Sequence, residues 1–324
     1  MGVRIRVPAT TANLGPGFDV FGMSLSLYNI LEFEERPNRS VRIEVSGEGV
    51  EDVPRVPDYN LAYRGFARYF SVRGRQAPGV RLHIHNEIPV TRGLGSSATA
   101  IVSGLCAAYL LDGCQFDREE LLRLAVEIEG HPDNVAPAIY GGFVASGLYT
   151  SDFAPESASS SRLEKKTVSR PRLHTLRLTP PAGLCCVVAV PGYMLSTGLA
   201  RRALPEQVPF SEAVQNVRNA SLLTAAMATG DLAMIERVFA DAMADFLHQP
   251  YRFPLIKGGV EAAQAARNAG AFAVAISGSG PSLLALTTAN ATEVGDAMRR
   301  TFAQQGVPTR ILQLKPETSG VHVL

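Results

Sequence analysis

Two glycines and two adjacent hydroxyls stand together in Pro89-Val90-Thr91-Arg92-Gly93-Leu94-Gly95-Ser96-Ser97-Ala98-Thr99. Before them, Val80-Arg81-Leu82-His83-Ile84-His85 alternates apolar and polar residues, which predicts a half-buried strand. After them, Ala98, Ile101, Val102, Leu105, Ala108 and Tyr109 recur at helical spacing, with Ser96 or Ser97 placed to cap the helix. A strand, a glycine turn and a helix start bring free backbone N–H groups and the helix dipole to one point, which favours an anion such as phosphate. No lysine stands between Pro89 and Thr99, so the string is not a Walker A loop, and it lacks the third glycine of a dinucleotide fingerprint. Taken alone, Gly93 and Gly95 are equally compatible with a plain turn.

A second polar cluster is Glu127-Ile128-Glu129-Gly130-His131-Pro132-Asp133-Asn134. Pro132 accounts for a helix stop here, but a stop does not require two carboxylates, an imidazole and an amide together. A third is Pro8-Ala9-Thr10-Thr11-Ala12-Asn13-Leu14-Gly15-Pro16-Gly17-Phe18-Asp19, too long for a tight hairpin turn. Asn13 and Asp19 are ordinary turn residues when taken one at a time. Arginines follow further along, in Ser196-Thr197-Gly198-Leu199-Ala200-Arg201 and in His248-Gln249-Pro250-Tyr251-Arg252. Two guanidinium forks suit a carboxylate, which each can hold in two places.

These residues need a scaffold of about two domains, and 324 residues with 46% hydrophobic content can supply it. The formal net charge of +1 gives no reason to expect nucleic acid or a membrane surface as partner. No apolar run reaches membrane-spanning length and the N-terminus has no signal core, so a cytoplasmic location is expected. The four cysteines, Cys106, Cys114, Cys185 and Cys186, have no metal spacing and read as buried free thiols.

Strands are expected from Val3 to Pro8, over Leu25–Phe33, over Val41–Val45 and along the apolar run Leu184–Val190. Helices are expected over residues 58–70 and 117–129, from a Ser211 cap to Ala228, and from an Asp231 cap to about Leu247. The stretch 150–171, with Ser157-Ala158-Ser159-Ser160-Ser161 and Lys165-Lys166, has no periodicity and reads as a flexible insertion. It marks a boundary between units 1–172 and 173–324. The strands flanking Ser277-Gly278-Ser279-Gly280-Pro281-Ser282, with a helix and a last strand after them, complete a split βαβ pattern.

The phosphate-loop string resembles that of the GHMP kinases, which include galactokinase, homoserine kinase, mevalonate kinase and phosphomevalonate kinase. The 8–19 string, Glu129-Gly130-His131-Pro132-Asp133-Asn134-Val135-Ala136-Pro137-Ala138 and Ser196 to Arg201 are similar to the homoserine kinase branch in particular, and the Ser277–Ser282 turn is similar to the third motif of the family. The resemblance runs from about Val3 to Leu314, the insertion excepted. It implies an α+β fold with an N-terminal domain like domain 2 of ribosomal protein S5 and a ferredoxin-like C-terminal domain. It also implies use of ATP and Mg²⁺. By the same match residues 89–99 hold the phosphates, Asn60 lies near the nucleotide, and Glu129 with Ser97 holds Mg²⁺. His131 and Asn134 then lie at the acceptor, while Thr197, Arg201 and Arg252 contact an amino-acid substrate. Glu127 is expected to be structural, and Arg202 to face away from the site.

Charge points to the acceptor within that family. Asp19 with Asn13 offers an anionic partner for an ammonium, and Arg201 with Arg252 a cationic one for a carboxylate. Mevalonate would leave Asp19 unpaired, and galactose would leave both arginines idle. L-Homoserine, phosphorylated on its side-chain hydroxyl, fits both, with Asn134 holding that hydroxyl. Kinases of the family with a lysine in the first motif pair it with an aspartate. This chain has no such lysine, so Asp133 is expected to be secondary. Another GHMP small-molecule kinase and a non-catalytic ligand sensor are the alternatives. A sensor would be expected to lose the metal-binding glutamate or a loop glycine, and this chain keeps Glu129, Gly93, Gly95 and Ser97. Whether the chain acts as a monomer or a homodimer is left open.

Overall fold

The computed structural model describes residues 2–149 and 172–324. The insertion expected over 150–171 lies outside the described residues, apart from which the chain builds two sheets. In order, the elements of the first half are β1 (Gly2–Ala12), β2 (Phe21–Arg36), β3 (Val41–Gly47), α1 (Leu61–Ser71), β4 (Gly79–Asn86), α2 (Ser96–Leu111), α3 (Arg118–Glu129), α4 (Pro132–Tyr140), β5 (Phe143–Tyr149) and β6 (Arg172–Leu178). The second half holds β7 (Cys185–Pro191), α5 (Thr197–Arg202), α6 (Phe210–Thr229), α7 (Leu232–Ala242), α8 (Gln249–Arg252), α9 (Gly259–Asn268), β8 (Ala273–Ile276), β9 (Leu283–Thr287), α10 (Ala291–Gln304), β10 (Thr309–Leu314) and β11 (His322–Val323).

The first sheet runs β11-β1-β2-β4-β3, with β5 joining β2 and β6 joining β5. All its pairs are antiparallel except β3 with β4. The four helices α1 to α4 cover one face, packing Phe66, Leu105, Leu124 and Val135 against Ile5, Phe33 and Leu82 in one core. The second sheet runs β10-β7-β9-β8. Numbered within that unit this is 4-1-3-2, the ferredoxin-like order.

β7 is buried on both faces, as its unbroken apolar run requires. Cys186, Val188 and Val190 point to a core shared with α6, α7 and the Phe21–Leu25 end of β2, whereas Val187 and Ala189 face α9 and α10. The first of these cores welds the two sheets together.

Several sequence expectations are corrected. β1 does not end at Pro8 but continues to Ala12, because a bulge between Pro8 and Ala9 absorbs the proline and the pairing with β2 resumes. Neither Ser96 nor Ser97 caps α2; its cap is Gly95, at φ +69° with no side-chain bond. α6 is capped by Pro209 rather than Ser211, and α7 stops at Ala242, well short of Leu247. The boundary expected at 172/173 cuts the start of β6, which pairs with β5 in the first sheet. Sheet membership changes between β6 and β7 instead, and β11 returns to β1. Of the thiols, Cys106 and Cys186 are buried, whereas Cys114 is exposed and Cys185 half-buried. No helix among the described residues is long and apolar enough to cross a membrane.

Candidate active site

A cleft of about 340 Å³ lies between the two sheets. Its floor is the glycine loop Pro89–Thr99, of which Val90 to Ser97 line it. Pro89, Ala98 and Thr99 lie beneath and are buried. Thr91, Gly93 and Gly95 all adopt positive φ, at +55°, +80° and +69°. Gly93 and Gly95 also admit no side chain. A Cβ on Gly93 would stand 2.1 Å from the Ser277 carbonyl oxygen, and one on Gly95 1.8 Å from Thr10 Oγ1. The glycine turn after β8 therefore clamps the loop from the second sheet, and Ser277 Oγ donates to the Gly93 carbonyl at 2.6 Å.

One end of the cleft is walled by Leu31, Val53, Pro54, Tyr59, Asn60 and Ile84. This apolar slot suits a flat heterocycle. Asn60 sits there, but its amide is engaged: it accepts from Tyr63 N at 3.1 Å and donates to the Pro54 carbonyl at 2.7 Å. It caps α1 and shapes the slot. Sequence reasoning missed Asn29 and Asn86, both lining this end. Asn29 accepts from the backbone N–H of Glu87 and Ile88 and donates to Asn86 and Thr99, so it ties β4 to the first turn of α2. A polar residue breaking the apolar face of β2 was the available signal.

At the middle of the cleft, Ser97 Oγ donates to Glu129 Oε1 at 2.6 Å. Both line the cleft. Glu129 is the last residue of α3, and burial pushes its carboxyl above the usual range. Glu127 is tied to Arg68 and Arg123 on the surface, as expected of a structural residue. Helix α4 presents Asn134 to the cleft, its Oδ1 accepting from Thr10 Oγ1 at 2.8 Å. Asp133 is buried and does not line the cleft. Its Oδ1 pairs with His131 Nδ1, and its Oδ2 has no hydrogen-bond partner among the described residues. Burial alone would lower the His131 imidazole pKa, but contact with Asp133 and the fields of Glu129 and Asp19 outweigh it and raise it.

The far end is charged. Arg201 forms a bidentate pair with Asp19, at 2.8 and 2.9 Å, and Asn13 Oδ1 accepts from the Asp19 backbone N–H at 2.8 Å. The sequence assigned Asp19 and Arg201 to opposite ends of a substrate; here they hold each other. Arg252 is 1% exposed and donates to the carbonyls of Ala200 and Gly278. Burial, and then repulsion from Arg201, push its pKa down to about 10. The two guanidinium carbons lie 5.3 and 5.0 Å from the centre of the Phe18 ring, which also stacks on His248. His248 is wholly buried; its Nε2 donates to the Gly15 carbonyl at 2.9 Å, tying the first loop to α8. Thr197 lines the cleft beside Ser279. Phe18 and His248 escaped notice in the sequence because their packing joins segments remote along the chain.

The pattern described as the GHMP kinases N terminal domain matches residues 60–142, and the GHMP kinases C terminal pattern matches 223–304. The homoserine kinase of Moorella thermoacetica is 44% identical over 99% of both chains. That of Carboxydothermus hydrogenoformans is 41% identical over 98% of this chain and 95% of its own. The chain belongs to the homoserine kinase branch of the GHMP kinases. The crystal structure of homoserine kinase from Cytophaga hutchinsonii superposes with a TM-score of 0.83 at 30% identity, covering 100% of this chain and 97% of that one. A mevalonate kinase structure reaches 0.65 at 11% identity over 98% of this chain and 99% of its own, a likeness of fold alone. The five strings that carry the family resemblance in sequence, around Asn13, Gly95, Asn134, Arg201 and Ser279, thus meet around one cleft.

Proposed function

We propose that this protein transfers the γ-phosphoryl group of ATP to the side-chain hydroxyl of L-homoserine. The observation that carries the reading is the order of chemistries along one cleft: an apolar slot, a glycine loop at a helix start, an amide, then Arg201 and Arg252, with Asp19 held against Arg201. The Asp19–Arg201 pair has the charges of an α-amino acid reversed. An incoming ammonium can take over Asp19 while the carboxylate takes over Arg201, so neither charge is left without a partner.

Residues 90–97 would receive the triphosphate on their N–H groups, and Asn60 with the walls of the slot would receive the base. Ser97 and Glu129 offer two hard oxygen donors at the first turn of α2, a set that fits Mg²⁺ bound jointly with phosphate. When bound, the ion would neutralise charge on the phosphate oxygens. Asn134 would hold the acceptor hydroxyl in line. The new bond forms between that oxygen and the γ-phosphorus. The bond to the bridging oxygen breaks with its electron pair leaving on ADP, and the hydroxyl proton passes to a phosphoryl oxygen and then to solvent. A loose transition state needs little prior deprotonation, so positioning and charge stabilisation carry the rate. Asp133, buried and paired with His131, supports the turn that presents Asn134.

The two sheets divide the labour, the first supplying the nucleotide end and the second supplying Arg201 and Arg252. We place the reaction in the cytoplasm, with a small molecule as the substrate. ADP release with Mg-ATP and a panel of homoserine, threonine, serine, mevalonate and galactose tests the reading. Homoserine should turn over fastest, and a preference for mevalonate or galactose would refute the roles of Asp19, Arg201 and Arg252.

A further inference from the structure

Thr10 is fully buried at the end of β1, between the phosphate loop and α4. Its backbone N–H donates to the Leu94 carbonyl at 3.1 Å. Its hydroxyl has a single side-chain partner among the described residues, Asn134 Oδ1 at 2.8 Å. A buried hydroxyl proton without an acceptor is costly. The Thr10 proton therefore requires the carbonyl oxygen of Asn134, and not its nitrogen, on the Thr10 side. A Cβ on Gly95 would meet both atoms, Thr10 Oγ1 at 1.8 Å and Asn134 Oδ1 at 3.1 Å. The hydroxyl, the amide and the loop glycine thus form one compact contact.

We propose that Thr10 is a positioning residue that fixes both the place and the polarity of Asn134. With Oδ1 held by Thr10, the group left for the acceptor is the amide nitrogen. Asn134 then donates to the acceptor oxygen and holds it in line. It cannot receive the hydroxyl proton, which is left free to go to a phosphoryl oxygen. The same contact sets the spacing between Asn134 and the glycine loop, because Thr10 touches both. This rests on the reading of Asn134 as the residue that meets the acceptor hydroxyl.

The test is a double-mutant cycle of Thr10→Val and Asn134→Ala, with Thr10→Ser as the conservative variant. Thr10→Ala serves as a second probe should Thr10→Val not fold. Turnover of homoserine and ATP affinity by calorimetry are measured for each. Thr10→Val should lower kcat roughly 10- to 100-fold, as a displaced reacting group does, with ATP affinity little changed. Thr10→Ser should recover most of the rate, and Thr10→Val should add nothing once Asn134 is alanine. A full further loss in the Asn134→Ala background, or ATP affinity falling in step with kcat, would show that Thr10 merely packs the loop. Failure of the wild-type protein to phosphorylate homoserine would refute the functional reading separately.

Discussion

Arg201→Leu separates a binding role from a structural one. The Arg201–Asp19 pair is partly solvated, with the side chains 44% and 32% exposed. Such pairs contribute about 0–1 kcal/mol to folding. The variant should therefore stay folded, and its melting temperature should fall by no more than about 4 °C for a chain of this size. Substrate use is another matter. Truncating one partner of a desolvated charge pair costs about 2–5 kcal/mol, which is roughly 30- to 5,000-fold in kcat/KM. Arg252 should temper the loss, since on the proposed reading its guanidinium, which also lines the cleft, still meets the carboxylate. The effect should therefore sit in the lower half of that range and appear mainly in the KM for homoserine. The KM for ATP should be nearly unchanged, because Arg201 lies at the opposite end of the cleft from the slot. Arg202→Leu is the control, exposed and absent from the cleft lining. The assay is steady-state ADP release with each substrate varied in turn. Equal damage from the two variants, or a matching rise in the KM for ATP, would refute the argument.

Gly95→Val should abolish nucleotide binding in a folded protein, because its Cβ would overlap Thr10 and a β-branched residue resists φ +69°; retained ATP affinity by calorimetry would make the loop an ordinary turn. Asn134→Leu should cost more in kcat than Asp133→Asn, and a dead Asp133→Asn enzyme that still folds and binds both substrates would make Asp133 the base. Burial lowers the pKa of His248, so the unfolded chain binds the proton more readily than the folded one. Stability present above about pH 6.5, the ordinary imidazole value, should fall as the pH drops below it. Because His131, with its raised pKa, gains stability over the same range, the fall is read as the difference between the melting curves of the wild type and of His248→Asn from pH 7 to 5.

The strings around Asn13, Gly95, Asn134 and Arg201 were legible because each packs its chemistry into about ten consecutive residues. The split βαβ order of the second sheet was legible for a similar reason, since β7 is apolar throughout and the glycine turn at Ser277–Ser282 is short. What escaped was contact between distant segments. Pro8 ordinarily ends a strand, and only the bulge that pairing with β2 permits carries β1 on to Thr10. A hydroxyl beside an alanine gives no hint that an amide more than a hundred residues later accepts from it. The Asp19–Arg201 pair was read as two separate tools, because charge complementarity to a substrate and charge complementarity within the protein look alike in a sequence.

The residues after β10 run back across the first sheet: Lys315 and Glu317 bond to Ser26 and Ser24, Glu317 accepts from Gly142, and β11 lies along β1. Gly320 is pressed against the Ile139 carbonyl at the end of α4, the helix that carries Asn134. During synthesis, β1 emerges from the ribosome long before β11 and must wait for it before that edge is paired. The N-terminal unit therefore cannot reach its finished form as an independent early product. Its open edge and the loose end of α4 persist until Gly320 and β11 have been made, so the window for strand-edge misassociation spans the synthesis of the whole second half.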